Sequence, residues 1–364
     1  MKIAHVVDSM EMGGAETLVS QMCGLQRESG HDPCVYAIAA LGTLGEKMRA
    51  EGFSVQSNVG GSFTDSTRNF YQIFSNSRPD VVHLHNPTPT IYAAMPARIA
   101  GVCSVISTRH SLVAPPRNVI AELKYAVAAR FCDWITGICE ATTENVRNLH
   151  TVPKRKLVCV YNGAAPLRRA VKGVWPSKDG FTLVYVGRLE PVKNHSLLLN
   201  AFRDALASMP NLRLWMVGDG SERKRLEKLA SELAIAGQVN FFGQQLDVAP
   251  FLTAADAFIM SSNSEGLPVS LLQAFSLGLP AVVTDVGGMA EVVKLAKAGI
   301  TASLTDPAEL TVAILRMAAN NLEREQFAKN AEAAFNSRFS LQSMVNSYMK
   351  LYQDTSGARR MAKK

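Results

Sequence analysis

The sequence predicts an α/β protein made of two doubly wound parallel-sheet domains facing a cleft. Three observations carry that prediction. Short apolar runs of strand length alternate with helix-length segments from the first residue onward. The alternation lapses once, over residues 163–180, and then restarts. The chain also has 364 residues, more than the roughly 250–300 at which a single core stops growing.

The elements follow in order. Lys2–Val7 (KIAHVV) reads as a strand, and Gly-rich punctuation follows it. Glu16–Arg27 has helical spacing through Leu18, Val19, Met22 and Leu25. Cys34–Ala39, Val81–Leu84, Val105–Ser107, Trp134–Ile138 and Leu157–Val160 read as further strands, with Asn118–Phe131 among the helices between them. Residues 163–180 are rich in Gly, Pro and Lys/Arg and carry no period, which suits a linker. The second series has strands at Thr182–Val186, Arg213–Val217, Val239–Phe242, Ala257–Ser261 and Ala281–Thr284. Its helices include Ser196–Ser208 and Ser221–Ala236, and the pattern after Asp306 is helical. The expected domains are therefore 1–165 and 181–340, joined by 166–180. Ligands of such domains sit at the carboxyl ends of the strands.

Composition excludes several classes. No run of about 18 apolar residues is present, so no membrane-spanning segment is expected. The start, MKIAHVVDSMEMGG, lacks the pattern of a signal peptide. The six cysteines form no Cys-x-x-Cys pair and read as buried free thiols in a reducing, cytoplasmic setting. His83 and His85 share a strand face without a further ligand set, so no metal is expected. The net charge of +7 is unevenly placed: residues 98–169 carry 11 Lys+Arg against 4 Asp+Glu. Few aromatics interleave there, and no nucleic-acid motif appears, so a nucleic-acid partner is not expected. The helix around 117–130 sets Arg117, Lys124 and Arg130 beside Val119, Ile120, Leu123 and Val127. It suits peripheral docking on an anionic membrane or on a lipid diphosphate acceptor. An ordinary amphipathic helix with solvated basic residues explains it equally well.

Four motifs follow strands. Gly13-Gly14-Ala15-Glu16 precedes a helix, where backbone N–H groups and the dipole suit a phosphate. It lacks the third glycine of a dinucleotide fingerprint, and a turn glycine pair explains it when taken alone. Gly187-Arg188-Leu189-Glu190-Pro191-Val192-Lys193-Asn194 offers two cations to a diphosphate leaving group. Ser264-Glu265-Gly266-Leu267-Pro268 opens a segment with Gln273 eight residues beyond Glu265. A carboxylate and an amide suit vicinal sugar or ribose hydroxyls. His83, His85 and His110 end two strands, and His110 is the preferred contact for a donor sugar.

Taken in order, GGAE (13–16), HLHN (83–86), STRH (107–110), YNGA (161–164), GRLEPVKN (187–194), VGDGSER (217–223), EGLPVSLLQA (265–274) and DVGGMAE (285–291) resemble the fourth family of glycosyltransferases. These are retaining enzymes with the GT-B fold of two Rossmann-like domains. The resemblance implies a nucleotide-sugar donor as co-substrate, most commonly a uridine diphosphate sugar, and no metal or other cofactor. It implies a saccharide or lipid-linked acceptor, as in cell-envelope polysaccharide or lipopolysaccharide synthesis. Arg188 and Lys193 would hold the diphosphate, Glu265 the donor-sugar hydroxyls, and His110 the transferred sugar. Gly13, Gly14, Gly187, Gly218, Gly266 and Leu267 would line the donor, and Phe242 and Gly243 its base. Glu16, His85 and Asn86 would face the acceptor. The last helix, about 341–364 with its stripe Met344, Val345, Tyr348 and Leu351, would complete the first domain. Gln273 departs from the family, which has a ribose-binding glutamate there, so weaker donor binding is expected. Ala164 and Ala165 replace the aspartate that often follows the NG element. Two rivals stand beside the transferase: a sugar-nucleotide epimerase of the same fold, and a non-catalytic nucleotide-sugar-binding subunit favoured only by Gln273.

Overall fold

The computed structural model describes residues 1–11, 13–57, 62–113, 118–169 and 180–362, with side chains described to residue 355. Most of the expected linker, as well as Arg117 and the terminal Lys363 and Lys364, lies outside the described residues. The chain divides into two compact units. One comprises Met1–Gly163 with Leu341–Lys364, and the other Ala164–Ser340.

The first unit holds seven strands: β1 Lys2–Val7, β2 Asp32–Ala37, β3 Ser54–Ser57, β4 Val81–His85, β5 Ser104–Arg109, β6 Trp134–Gly137 and β7 Leu157–Cys159. Their order is β3-β2-β1-β4-β5-β6-β7, with every pair parallel. The second unit holds six: β8 Phe181–Val186, β9 Leu212–Val217, β10 Val239–Gly243, β11 Ala257–Met260, β12 Ala281–Thr284 and β13 Gly299–Ala302. Their order is β10-β9-β8-β11-β12-β13, again parallel throughout.

Central strands are buried on both faces, polar residues included. All five residues of β4 and all six of β5 are buried. The edge strands differ. Only Val55 of β3 is buried, and only Ala302 of β13. Neither shows an apolar run, and neither was foreseen. The helix expected over Ser221–Ala236 spans Arg223–Glu232 instead. Its start is delayed because the Ser221 hydroxyl and N–H donate to Glu190 at 2.8 and 3.3 Å, holding that segment as a turn. The last helix runs from Leu341 to Ala362, beyond the expected apolar stripe. Within the first unit its Tyr348 and Tyr352 are buried, with hydroxyls 3.0 Å from Thr108 Oγ1 and 2.7 Å from His83 Nδ1.

Strand order reverses between β1 and β4 in one unit and between β8 and β11 in the other. At such a switch the following helices leave toward opposite faces, and a crevice opens past the carboxyl ends of the two strands. The predicted motifs lie at these two places.

Candidate functional site

In the second unit, the loop after β8 carries Gly187–Asn194 and the loop after β11 carries Ser261–Gly266. The two are fastened together. The Asn263 N–H donates to the Val192 carbonyl at 2.8 Å, and Asn194 Nδ2 donates to Asn263 Oδ1 at 2.8 Å. The buried Ser261 hydroxyl caps the carbonyls of Lys193 and Asn194 at 3.0 and 3.1 Å. Lys193 and Glu265 form an ion pair across this junction, with side chains only 15% and 13% exposed. The Ser262 hydroxyl donates to the same Glu265 Oε1 at 3.0 Å. Two residues predicted for separate roles, diphosphate and sugar, therefore meet at the switch point. Arg188 is exposed and makes no ion pair among the described residues; its carbonyl accepts from the buried Tyr185 hydroxyl at 2.8 Å. That bond fixes the Arg188 backbone and leaves its guanidinium open to a ligand.

The neighbouring strand end is built by close backbone contact. Gly218 has φ 139°, and a Cβ there would lie 1.9 Å from the Gly187 carbonyl oxygen. The Gly218 N–H donates to the Gly243 carbonyl at 2.8 Å, and the Gly187 N–H to the Val217 carbonyl at 3.0 Å. The three glycines thus form one continuous floor beside β8, β9 and β10. Phe242 is half-buried against Phe251, with ring centroids 4.9 Å apart. Leu267 is buried at 4% exposure, Gly266 is half-buried, and Gln273 is half-buried on the helix Val269–Ser276.

In the first unit, Gly13 is the extended N-cap of the helix Gly14–Glu28 and provides no side-chain cap. The Glu16 carboxylate folds back over it; a Cβ on Gly13 would lie 2.3 Å from Glu16 Oε2. A carboxylate at a helix N-terminus occupies the place that suits an anion. Across the switch point Asn86 ends β4 with φ 78° and ψ 171°, a region that only glycine enters at low cost. Bonds on several sides hold it: its N–H donates to the Thr108 carbonyl at 2.8 Å, its Oδ1 accepts the His110 N–H at 3.3 Å, and its carbonyl accepts the Thr90 hydroxyl at 2.8 Å. Asp8 at the end of β1 was not foreseen. Burial pushes its carboxyl up, opposed by hydrogen bonds from Thr88 and Asn86.

The histidines correct the sequence reading. His85 was expected to face an acceptor, yet it is 2% exposed, and His83 on the same strand is 0% exposed. His83 bonds Tyr352 and Thr108, both at 2.7 Å. His85 lies between His5 Nδ1 at 3.0 Å and His110 Nε2 at 3.1 Å. With both ring nitrogens occupied, it stands behind His110 and not beside an acceptor. His5 was missed because it is a single histidine in an apolar strand. It ends the row, with Nε2 2.9 Å from the buried Gln26 Oε1. Burial lowers His5 and His110 to about 4 and His83 and His85 well below the usual range. His5, His83 and His85 offer ring nitrogens within 4.8 Å of one another, a spacing that fits a metal. A metal there would displace the bonds to Gln26, Thr108 or Tyr352. The neighbouring Arg109 points inward, paired with Glu122 at 3.0 Å and set over the Tyr125 ring.

Two parallel doubly wound units, each with a switch point lined by polar side chains, are the architecture of the GT-B fold. Comparison with known proteins places the chain within it. Residues 12–166 match the model described as Glycosyltransferase Family 4, and residues 169–334 match Glycosyl transferases group 1. The chain belongs to this family of glycosyltransferases. It is 32% identical to the lipopolysaccharide core biosynthesis glycosyltransferase LpsE of Rhizobium meliloti, over 48% of this chain and 50% of that protein. The chain thus spans half the length of that relative in the alignment. It is 26% identical to the putative glycosyltransferase EpsF of Bacillus subtilis, over 95% of this chain and 96% of that one. The Anabaena HepE structure in complex with UDP superimposes with a TM-score of 0.84, covering 97% of this chain and 100% of that one at 18% identity. LpsE and EpsF carry the names of glycosyltransferases, and the epimerase reading gains nothing from them.

Proposed function

We propose that this protein transfers a sugar, with retention at the anomeric carbon, from a uridine diphosphate sugar to a saccharide or lipid-linked acceptor of cell-envelope polysaccharide or lipopolysaccharide. The observation that carries the reading is the β8/β11 switch point. It brings the loops after β8 and β11 together, with the exposed Arg188 and the Lys193–Glu265 pair on them and the close-packed Gly187, Gly218 and Gly243 at the neighbouring strand ends. Departure of the diphosphate leaves charge on its oxygens, and fixed cations lower the barrier by meeting it there. Glu265 accepts hydrogen bonds from the sugar hydroxyls, and Gly266 and Leu267 shape the same wall. Phe242 and Gly243 border the base, and Gln273 reaches the ribose through a neutral amide. In the first unit His110 contacts the transferred sugar, the Gly13–Gly14 helix start favours the anionic diphosphate, and Glu16 and Asn86 receive the acceptor. No metal is assigned a step. The bound UDP of the HepE structure and the name of LpsE support the donor and pathway readings.

The acceptor reading extends to the membrane. The helix Val119–Ala129 leaves Val119, Ile120 and Leu123 between 64% and 73% exposed. Ile120 and Leu123 line a groove of about 910 Å³ together with Phe63, Tyr92, Met95 and Lys124. A contiguous exposed apolar patch marks an interaction surface, and the basic excess of residues 98–169 selects an anionic lipid leaflet. The six free cysteines agree with the reducing side of that membrane. Among the described residues no helix is long and apolar enough to cross a membrane.

Thermal melting with UDP, GDP and ADP tests the donor. Saturation at 100 times the dissociation constant adds about 2.7 kcal/mol, so UDP should raise the melting temperature selectively; no shift with any nucleotide overturns the donor site. Vesicle sedimentation tests the membrane surface. Binding that requires anionic lipid and weakens in Leu123→Glu supports it, and equal binding to neutral vesicles contradicts it.

A further inference from the structure

Four residues of the first unit form an unbroken row of hydrogen bonds that ends at His110. Gln26 Oε1 lies 2.9 Å from His5 Nε2, His5 Nδ1 lies 3.0 Å from His85 Nε2, and His85 Nδ1 lies 3.1 Å from His110 Nε2. Gln26, His5 and His85 are 0–2% exposed. Among the described residues His110 Nδ1 has no hydrogen-bond partner, so it is the one ring nitrogen of the row left for a ligand. The rings come from three elements: His5 from β1, His85 from β4, and His110 just past β5, with Gln26 on the helix Gly14–Glu28.

Burial keeps the three imidazoles neutral at pH 7, so each carries one ring proton. A neutral imidazole that donates from one nitrogen accepts at the other. With the Gln26 amide placed as it is, Oε1 toward His5 and the buried Nε2 without a partner among the described residues, the row has one direction. A carbonyl oxygen only accepts, so Gln26 Oε1 requires the His5 proton on Nε2. His5 Nδ1 then accepts from His85 Nε2, and His85 Nδ1 accepts from His110 Nε2. His110 is left with an unprotonated Nδ1. With the Gln26 amide reversed, every proton in the row would move to the other nitrogen, and His110 would present an N–H. The amide of one buried glutamine thus selects between an acceptor and a donor three hydrogen bonds away.

We propose that Gln26, acting through His5 and His85, is a positioning residue that fixes the tautomer of His110 so that an unprotonated Nδ1 accepts a hydrogen bond from a hydroxyl of the bound sugar. The proposal rests on the reading of His110 as a donor-sugar contact. Which nitrogen of a histidine carries the proton is set by the bond that the other nitrogen makes, and a histidine held in the wrong tautomer loses much of its use. The same logic gives a role to three buried polar side chains in a region where apolar residues would cost less to bury.

The test is long-range proton–nitrogen correlation on protein carrying isotope-labelled histidine, which distinguishes protonated from unprotonated ring nitrogens, together with steady-state kinetics. In the wild type His110 should carry its proton on Nε2. Gln26→Leu removes the acceptor, and His110 should then populate both tautomers, with kcat falling about tenfold, the scale of a lost supporting partner, and donor KM little changed. Gln26→Glu keeps an acceptor at the same place and should retain the Nε2 tautomer, which guards against a variant that merely folds poorly. A His110 proton on Nδ1 in the wild type overturns the proposal, as does a Gln26→Leu protein with unchanged tautomer and kcat. If the wild type releases nucleotide from no sugar donor, the transferase reading fails, while the spectra still judge the row by itself.

Discussion

Removing Lys193 probes the donor site most sharply, because its partner is known. In the ligand-free chain its ammonium is committed to Glu265, both side chains being about one-seventh exposed. Lys193→Ala leaves Glu265 with only the Ser262 hydroxyl at 3.0 Å. A charge-assisted hydrogen bond contributes about 1.5–3 kcal/mol, so UDP binding should weaken about 10- to 150-fold, and the UDP-sugar by a similar factor. Glu265→Gln should act differently. It preserves the Ser262 bond in part but frees Lys193 from its counter-charge, so UDP alone should bind at least as tightly as before. If Glu265 receives the sugar hydroxyls as proposed, the UDP-sugar loses that carboxylate and turnover should fall. Titration calorimetry with UDP, followed by kinetics with the UDP-sugar, separates the two variants. Equal UDP affinity in Lys193→Ala and wild type would refute the reasoning, and so would a Glu265→Gln variant that loses UDP binding while keeping turnover.

Two further outcomes are expected. His5 and His110 fall from 6.5 unfolded to about 4 folded, so the unfolded chain binds more protons between those values. These two histidines, whose ring nitrogens bond Gln26 and His85 among the described residues, are fully stabilising above about pH 6.5 and lose stability as the pH falls toward 4. The loss is about 1.4 kcal/mol per unit for each histidine, or about 2 kcal/mol each at pH 5. Urea unfolding at pH 7 and pH 5 measures it, and a flat profile contradicts the burial of neutral rings. Gln273→Glu restores a charged partner for the ribose and should tighten UDP binding about fivefold, the difference between a charge-assisted and a neutral bond; calorimetry showing no change removes Gln273 from the ribose.

The sequence made the fold legible wherever a strand is buried on both faces. β1 and β12 were read with the boundaries they have, because each is a mainly apolar run. β3 and β13 escaped because an edge strand shields only one or two residues, and Ser54, Gln56 and Ser57 look like loop. The loops after β8 and β11 were legible as motifs, since glycine and charge at a strand end are local signals. What joins them was not: Lys193 and Glu265 lie 72 residues apart, and only the switch point makes them neighbours. The histidine row shows the same limit in the first unit. His85 and His110 were noticed, and assigned outward, because each follows an apolar run. His5 and Gln26 gave no signal, since their meaning depends on partners on other strands and helices, and a row of hydrogen bonds leaves no period in the chain.

The central claim is that the open cation at the β8 edge meets the diphosphate of a sugar donor. It is tested most directly by UDP release from a panel of UDP-sugars, with a membrane-extracted lipid-linked acceptor, for wild type and Arg188→Ala. The account predicts release by the wild type with a restricted set of sugars, and a rate lower by about 10²-fold or more in Arg188→Ala, with the fold retained by circular dichroism. Equal rates in the two proteins would contradict it.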